Sequence, residues 1–432
     1  MYRACPLACE ARVFEVRFEV RKTKTITTNE IADTKIKPAP TEPVIGLISL
    51  VCLIVGNMIG VGLYVGSYYA LIALKDARLV LLVWLIGGLH AICGAIAYGA
   101  IANRLPVSGG EYTYLSRCVH PAVGFVAGWI SILAGFTAPI AATALLLGEF
   151  VGGGGSTDVS VRCIATASIV FVAFLHGCHL KFGAWLNNGV IAIKFLCFAV
   201  FLFYGLPFVL QGTSTGLLVD DANPSGEFAS LTTRLSEPST LAQMIVSLFY
   251  ISLAYTGFNA SIYLAGEIEG PTNIPELRKR LVSRSMLIAC AVVVVVYLLL
   301  NFVFLYGLSP ERIAQAGERY VAEVAQNIGG PWLSGIVRLA IILSAATSIL
   351  AMMATGPMVY AQMAEDGRMP NLFRISDQVP RLAIVAQGLL SIVVVWISQI
   401  QDIVKYLGLT LTACGALAVS SVWIARRFMS EK

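Results

Sequence analysis

The sequence predicts an all-α integral membrane protein, on three observations. Its 432 residues are 57% hydrophobic and only 13% charged, with a mean hydropathy of +0.78; soluble domains average about 25% charged residues. The apolar residues fall into ten runs, each long enough for a bilayer crossing of about 20 residues. Two of those runs, five spans apart, are interrupted by glycine: Gly56-Asn57-Met58-Ile59-Gly60-Val61-Gly62 and Leu253-Ala254-Tyr255-Thr256-Gly257-Phe258-Asn259.

In chain order, residues 1–43 are a polar tail without the apolar core of a signal peptide. Val13 to Val20 alternates like a strand, but a lone strand has nothing to pair with, so this tail is expected to be disordered. The spans cover 44–73, 79–103, 119–150, 160–178, 184–210, 239–266, 283–308, 331–362, 382–399 and 403–425. Ten spans divide into five plus five around the long 211–238 loop. The membrane domain is therefore 44–427, followed by a short tail, 428–432. Segment 309–330 reads as a short amphipathic helix and 363–381 as a charged loop.

Lysine and arginine set the orientation. With the N-terminus inside, thirteen fall in inner loops against eight outside, and the tail adds eight more inside. Both termini are thus expected in the cytoplasm, with the chain in the plasma membrane. The net charge of +5 sits mostly in loops and tail and suits a membrane surface rather than nucleic acid. Of ten cysteines, seven lie in or beside spans, where they serve as small core hydrophobes. Neither Cys5-x3-Cys9 nor His176-Gly177-Cys178-His179 has the further ligands a metal site needs, so no metal or cofactor is expected.

The interruptions carry the chemistry. A backbone at membrane depth cannot leave its polar groups unpaired in lipid, so an unwound stretch there lines a cavity. Matching interruptions in two halves mark a secondary transporter's binding site. At Gly56–Gly62 the freed N–H groups of the following half-helix form an anion site suited to a carboxylate. Gly56-x3-Gly60 and Gly62-x3-Gly66 are also small-residue packing patterns, so helix packing is an alternative for this segment alone. At Leu253–Asn259 freed carbonyls suit an ammonium group, and Asn259 adds a polar side chain. Together the two breaks make a receptor for the zwitterion of an α-amino acid.

Lys194 is the one basic residue in the middle of a span. An ionised lysine there costs about 3 kcal/mol or more, and it stands about ten residues from either end, too far to snorkel easily. It can carry a proton, or its ammonium can stand in for a sodium ion. Ser344, Thr347 and Ser348 on the eighth span are candidates to face such a cation site, though membrane hydroxyls often bond back to their own helix. Glu267 closes the sixth span near Arg278 to Arg284, as a gating or structural ion pair. No nucleophile–base set appears at membrane depth, so an enzyme is not expected.

Four motifs carry a family resemblance. Gly56 to Val65 resembles the G-x-x-I-G-x-G-[IL]-[FY] first helix of the amino acid–polyamine–organocation (APC) permeases. Pro106-Val107-Ser108-Gly109-Gly110-Glu111-Tyr112-Thr113-Tyr114-Leu115 is similar to their P-x-[SA]-G-G-[ED]-Y-x-Y-L loop. Leu253 to Asn259, Gly266-Glu267-Ile268 and Asn273-Ile274-Pro275 resemble F-A-Y-x-G-[WF]-[ND]…E-E-[IV]…N-[IL]-P, and Thr355 to Pro370 resembles G-P-R…D-G-x-x-P. Order and spacing hold from 44 to 427, nearest the L-type and cationic amino acid branches.

The resemblance implies a LeuT-like fold: a five-plus-five inverted repeat with discontinuous helices 1 and 6. It implies carboxylate binding by the backbone of Met58, Ile59, Gly60, Val61 and Gly62. The amine would go to the carbonyls of Met58, Leu253, Ala254 and Thr256. Gly56 and Lys194 fall where coupling is expected; some proton-coupled relatives and some exchangers carry a lysine at the latter position. Three features depart from the family: Leu253 replaces the usual aromatic gate, Met358 replaces an arginine, and the chain has ten spans rather than twelve.

The expected function is secondary active transport of an amino acid, proton-coupled, with an exchanger or a non-transporting sensor as alternatives. No acidic residue lies at mid-depth in any span, which favours a neutral substrate. The outer loop at 151–160 lacks cysteine, so no disulfide-linked heavy-chain partner is expected.

Overall fold

The computed structural model describes residues 46–104, 108–152, 157–178, 180–212, 235, 237–264, 275–375, 380–398 and 417. Among them every regular element is helical. Seven stretches are long and apolar enough to cross a membrane: Leu47–Leu74, Ala77–Asn103, Pro121–Gly152, Asp158–Gly177, Leu186–Leu210, Arg280–Tyr306 and Tyr320–Glu365. Two shorter apolar helices, Pro238–Ala254 and Arg381–Ile397, stand at the sixth and ninth expected spans. The tenth expected span and both tails lie outside the described residues, Leu417 apart.

The first span is two helices, α1 (Leu47–Met58) and α2 (Val61–Leu74), and the second is α3 (Ala77–Arg104). A short helix, α4 (Gly110–Cys118), precedes the third span, which runs as α5 (Pro121–Ile130), a π-helical segment Ser131–Thr137, and α6 (Ala138–Gly152). The fourth and fifth spans are α7 (Asp158–Cys178) and α8 (Leu180–Leu210). The sixth is broken again, into α9 (Pro238–Ala254) and α10 (Ala260–Tyr263). Then come α11 (Pro275–Tyr306), the short α12 (Pro310–Ala316) within 309–330, α13 (Tyr320–Thr355), α14 (Pro357–Glu365) and α15 (Arg381–Ile397).

Local chemistry places several of these ends. Pro121, Pro238, Pro310 and Pro357 each open a helix in its first turn, where proline's missing N–H costs nothing. The eighth span starts earlier than the expected residue 331. Its helix begins at Tyr320 and kinks where Gly330 takes a left-handed φ of 75° just before Pro331. The expected start was the segment beyond this kink.

The core is mostly apolar, and so is much of the outer surface. Ser67, Lys194, Asn301, Thr347 and Gln387 are fully buried, while Phe171, Phe174, Leu196 and Phe203 point outward. That distribution suits a lipid surround, with hydroxyls and amides bonding between helices. Helix α3 lies along α11, α8 along α13 and α9 along α2. A buried cluster ties α2, α3 and α11 together: Trp84 Nε1 donates to Ser67 Oγ at 2.7 Å, Ser67 bonds Asn301, and Asn301 Nδ2 donates to the Tyr297 carbonyl at 2.8 Å. This frame holds the two breaks face to face.

Candidate functional site

The α1–α2 break is short. The Ile59 N–H still reaches the Val55 carbonyl, and the Gly60 N–H turns back to Met58 at 2.9 Å. Helix α2 then starts at Val61, with the first-turn N–H groups of any helix start left without intrahelical partners. The second break spans 255–259, where Gly257 adopts a φ of 93°, a left-handed conformation that glycine takes without steric cost.

The breaks touch. A Cβ placed on Gly62 would lie 2.6 Å from the Ala254 Cα, so only a glycine lets α2 approach the end of α9 this closely. Asn57 Nδ2 donates to the Gly257 carbonyl at 3.4 Å. The Tyr297 hydroxyl sits 2.7 Å from the Met58 carbonyl and 3.0 Å from the Ala254 carbonyl, donating its one proton to either. Thr256 Oγ1 donates to the Leu253 carbonyl at 2.7 Å. Three of the four carbonyls expected to receive an amine thus have a side-chain hydroxyl within bonding distance, and the Met58 and Leu253 carbonyls each also accept a backbone N–H, from Gly60 at 2.9 Å and Thr256 at 3.2 Å.

One cavity of about 540 Å³ opens beside both breaks. Of the expected substrate residues, Met58, Gly60, Gly62, Leu253, Thr256 and Asn259 belong to its wall, whereas Ile59 and Ala254 do not. Ile59 and Ala254 are buried behind it. Of the expected coupling residues only Ser348 reaches the wall; Gly56, Lys194, Ser344 and Thr347 stand outside it. Glu267, the second gating candidate beside Leu253, lies outside the described residues.

Gly56, Lys194, Ser344, Thr347 and Ser348 lie together behind the first break. Lys194 Nζ donates to Thr347 Oγ1 at 3.0 Å, and Thr347 donates on to carbonyls of its own helix. Ser348 Oγ donates to the Gly56 carbonyl at 2.9 Å, and Ser344 bonds the Tyr64 hydroxyl at 2.7 Å. The Gly56 Cα faces Ile191, Asn187 and the Thr347 carbonyl, so α8 and α13 meet α1 at this glycine. The hydroxyls of Ser344 and Thr347 bond back to their own helix and also bridge to another.

Sequence reasoning missed Tyr297, Tyr98 and the placement of Glu111. Gly109 and Gly110 both have left-handed φ, at 97° and 58°, and a Cβ on Gly110 would overlap the Tyr263 ring at 2.2 Å. Two glycines let the chain pass under that ring and carry Glu111 into the cavity wall. Tyr98 donates to Glu111 Oε1 at 2.6 Å and Asn259 Nδ2 donates to the same oxygen at 3.2 Å. Burial pushes the Glu111 carboxyl above the ordinary carboxylate range, against the Tyr98 hydrogen bond, which pulls it down. An acidic group therefore does face the cavity, delivered by the short helix α4 rather than by a span. The double glycine was its signal.

The amino acid permease family profile matches residues 45–428. The mouse b(0,+)-type amino acid transporter 1 is 25% identical over 86% of this chain and 74% of its own length. The serine/threonine exchanger SteT of Bacillus subtilis is 25% identical over 82% of this chain and 77% of its own. The rabbit large neutral amino acids transporter small subunit 2 is 22% identical over 84% and 66%. With the family profile covering nearly the whole chain and two broken helices meeting at one cavity, this protein belongs to the amino acid permease family of the APC superfamily.

Proposed function

We propose that the protein is a secondary active transporter of neutral amino acids, working by alternating access on a LeuT-like five-plus-five inverted repeat. The observation that carries this reading is the contact of the two helix breaks, Gly62 against Ala254, beside a single cavity of about 540 Å³. The helix start at Val61 and Gly62 supplies N–H groups for the substrate carboxylate; Leu253, Thr256 and Asn259 face the amine. The first, second, sixth and seventh spans rock against the rest, with Leu253 and Glu267 at the gates. The chain works in the plasma membrane with both termini in the cytoplasm and without a disulfide-linked heavy chain.

Neutrality of the substrate is supported by Glu111, whose Oε1 is already answered by two donors, Tyr98 and Asn259. Coupling to protons is supported by Lys194, which is fully buried and donates to Thr347 close behind the first break. Exchange is the second reading, favoured by the similarity to SteT, which its name identifies as an exchanger.

The test is uptake of a labelled neutral amino acid panel into proteoliposomes. Uptake into empty vesicles under an inward proton gradient supports symport. Uptake only into preloaded vesicles supports exchange. Saturable binding without flux in either case contradicts transport and leaves a sensor.

A further inference from the structure

Eight buried side-chain polar atoms lack a hydrogen-bond partner among the described residues, and only one of them, Ser131 Oγ, belongs to the cavity wall. Ser131 is 2% exposed and opens the π-helical segment of the third span. Hydroxyls on membrane helices ordinarily bond back to a carbonyl one turn earlier. In this chain Thr137, Ser344, Thr347 and Thr355 all do so. Ser131 does not. A buried hydroxyl with no partner costs about 1–3 kcal/mol, so its retention in a wall calls for a partner that arrives with the ligand.

Its surroundings narrow that partner. The third span's other contributions to the wall are Ile130, Gly135, Phe136, Pro139, Ala142 and Thr143, mostly apolar. A mostly apolar wall with a small number of polar groups is how a pocket fixes the identity of a ligand. π-Helical segments inside α-helices recur at functional sites because they re-aim side chains. The helix breaks hold the groups that suit an α-amino acid backbone, which leaves Ser131 to meet what differs between amino acids. A neutral hydroxyl pairs best with a neutral polar group, since it offers no charge to balance one.

We infer that Ser131 is a specificity-determining residue whose hydroxyl bonds the side chain of an uncharged, hydroxyl-bearing amino acid; this rests on the substrate site proposed above. Threonine and valine differ by a hydroxyl for a methyl at nearly constant shape, so their ratio isolates the bond.

The experiment measures binding and uptake of both, in purified protein and in proteoliposomes, for wild type, Ser131→Ala and Ser131→Thr. The wild type should prefer threonine. Ser131→Ala should cut the threonine-to-valine ratio about tenfold, chiefly by weakening threonine. Ser131→Thr, which keeps a hydroxyl, should retain the preference. Without substrate, the Ser131→Ala protein should melt no lower than wild type, because the lost hydroxyl had no partner; a structural hydroxyl would lower it. An unchanged ratio in Ser131→Ala, in binding and in uptake, overturns the inference while leaving transport standing. A shifted binding ratio without flux in any variant supports Ser131 and overturns transport instead.

Discussion

Gly62→Ala is expected to reduce amino acid uptake by at least about tenfold, through loss of affinity as well as rate. The methyl group would sit 2.6 Å from the Ala254 Cα, 2.8 Å from its Cβ and 2.9 Å from its backbone nitrogen. Backbone atoms cannot swing aside as a side-chain tip can. Overpacking of this kind costs about 1–3 kcal/mol, met by pushing α2 away from α9. That movement separates the two breaks and misplaces the groups meant for the carboxylate and the amine. Gly66→Ala is the control. It lies one turn on in the same small-residue pattern, but its nearest neighbour, the Trp84 ring, is 3.4 Å away, an ordinary contact. Uptake by Gly66→Ala should stay within about twofold of wild type. Equal losses at both glycines would assign the pattern to general helix packing.

Lys194→Met is expected to abolish gradient-driven uptake while leaving substrate binding within a few-fold of wild type. Lys194 lies outside the cavity wall and bonds Thr347, so its loss removes no proposed substrate contact. Methionine fills similar space without a charge, and replacing a buried ion by an apolar residue is often neutral or stabilising. The melting temperature should therefore hold or rise while coupled uptake collapses. Measuring binding, melting and uptake on one preparation separates a coupling role from a structural one. Retained uptake under the proton gradient would remove Lys194 from the coupling step.

Much of the fold was legible because a bilayer imposes simple demands. Runs of about 20 apolar residues mark spans, and glycine at matching depth in the first and sixth marks where a helix yields. Both breaks fall inside the two quoted segments, and Lys194 stood out as a charge too deep to reach water. What stayed hidden depends on residues meeting across long chain separations. Tyr297 reads as one more aromatic in an apolar run, yet its hydroxyl serves carbonyls at Met58 and Ala254, 239 and 43 residues away. Glu111 sits in a polar segment between spans, and only the path under Tyr263 shows that it reaches the cavity. Ser131 needed the π-helical segment, because whether a hydroxyl bonds back to its own helix depends on local pitch. A short helix within 309–330 was legible, but not that the helix from Tyr320 runs on through the kink at Gly330 into the eighth span.

The central claim is that backbone groups at two broken helices recognise the amino and carboxylate groups of an α-amino acid. Competition for labelled substrate by blocked analogues tests it most directly. The account predicts that the methyl ester and the N-acetyl derivative of a good substrate each compete on the order of 100-fold more weakly than the free amino acid, as expected when a hydrogen-bonded charge is removed. Either blocked derivative competing as well as the free amino acid would contradict it.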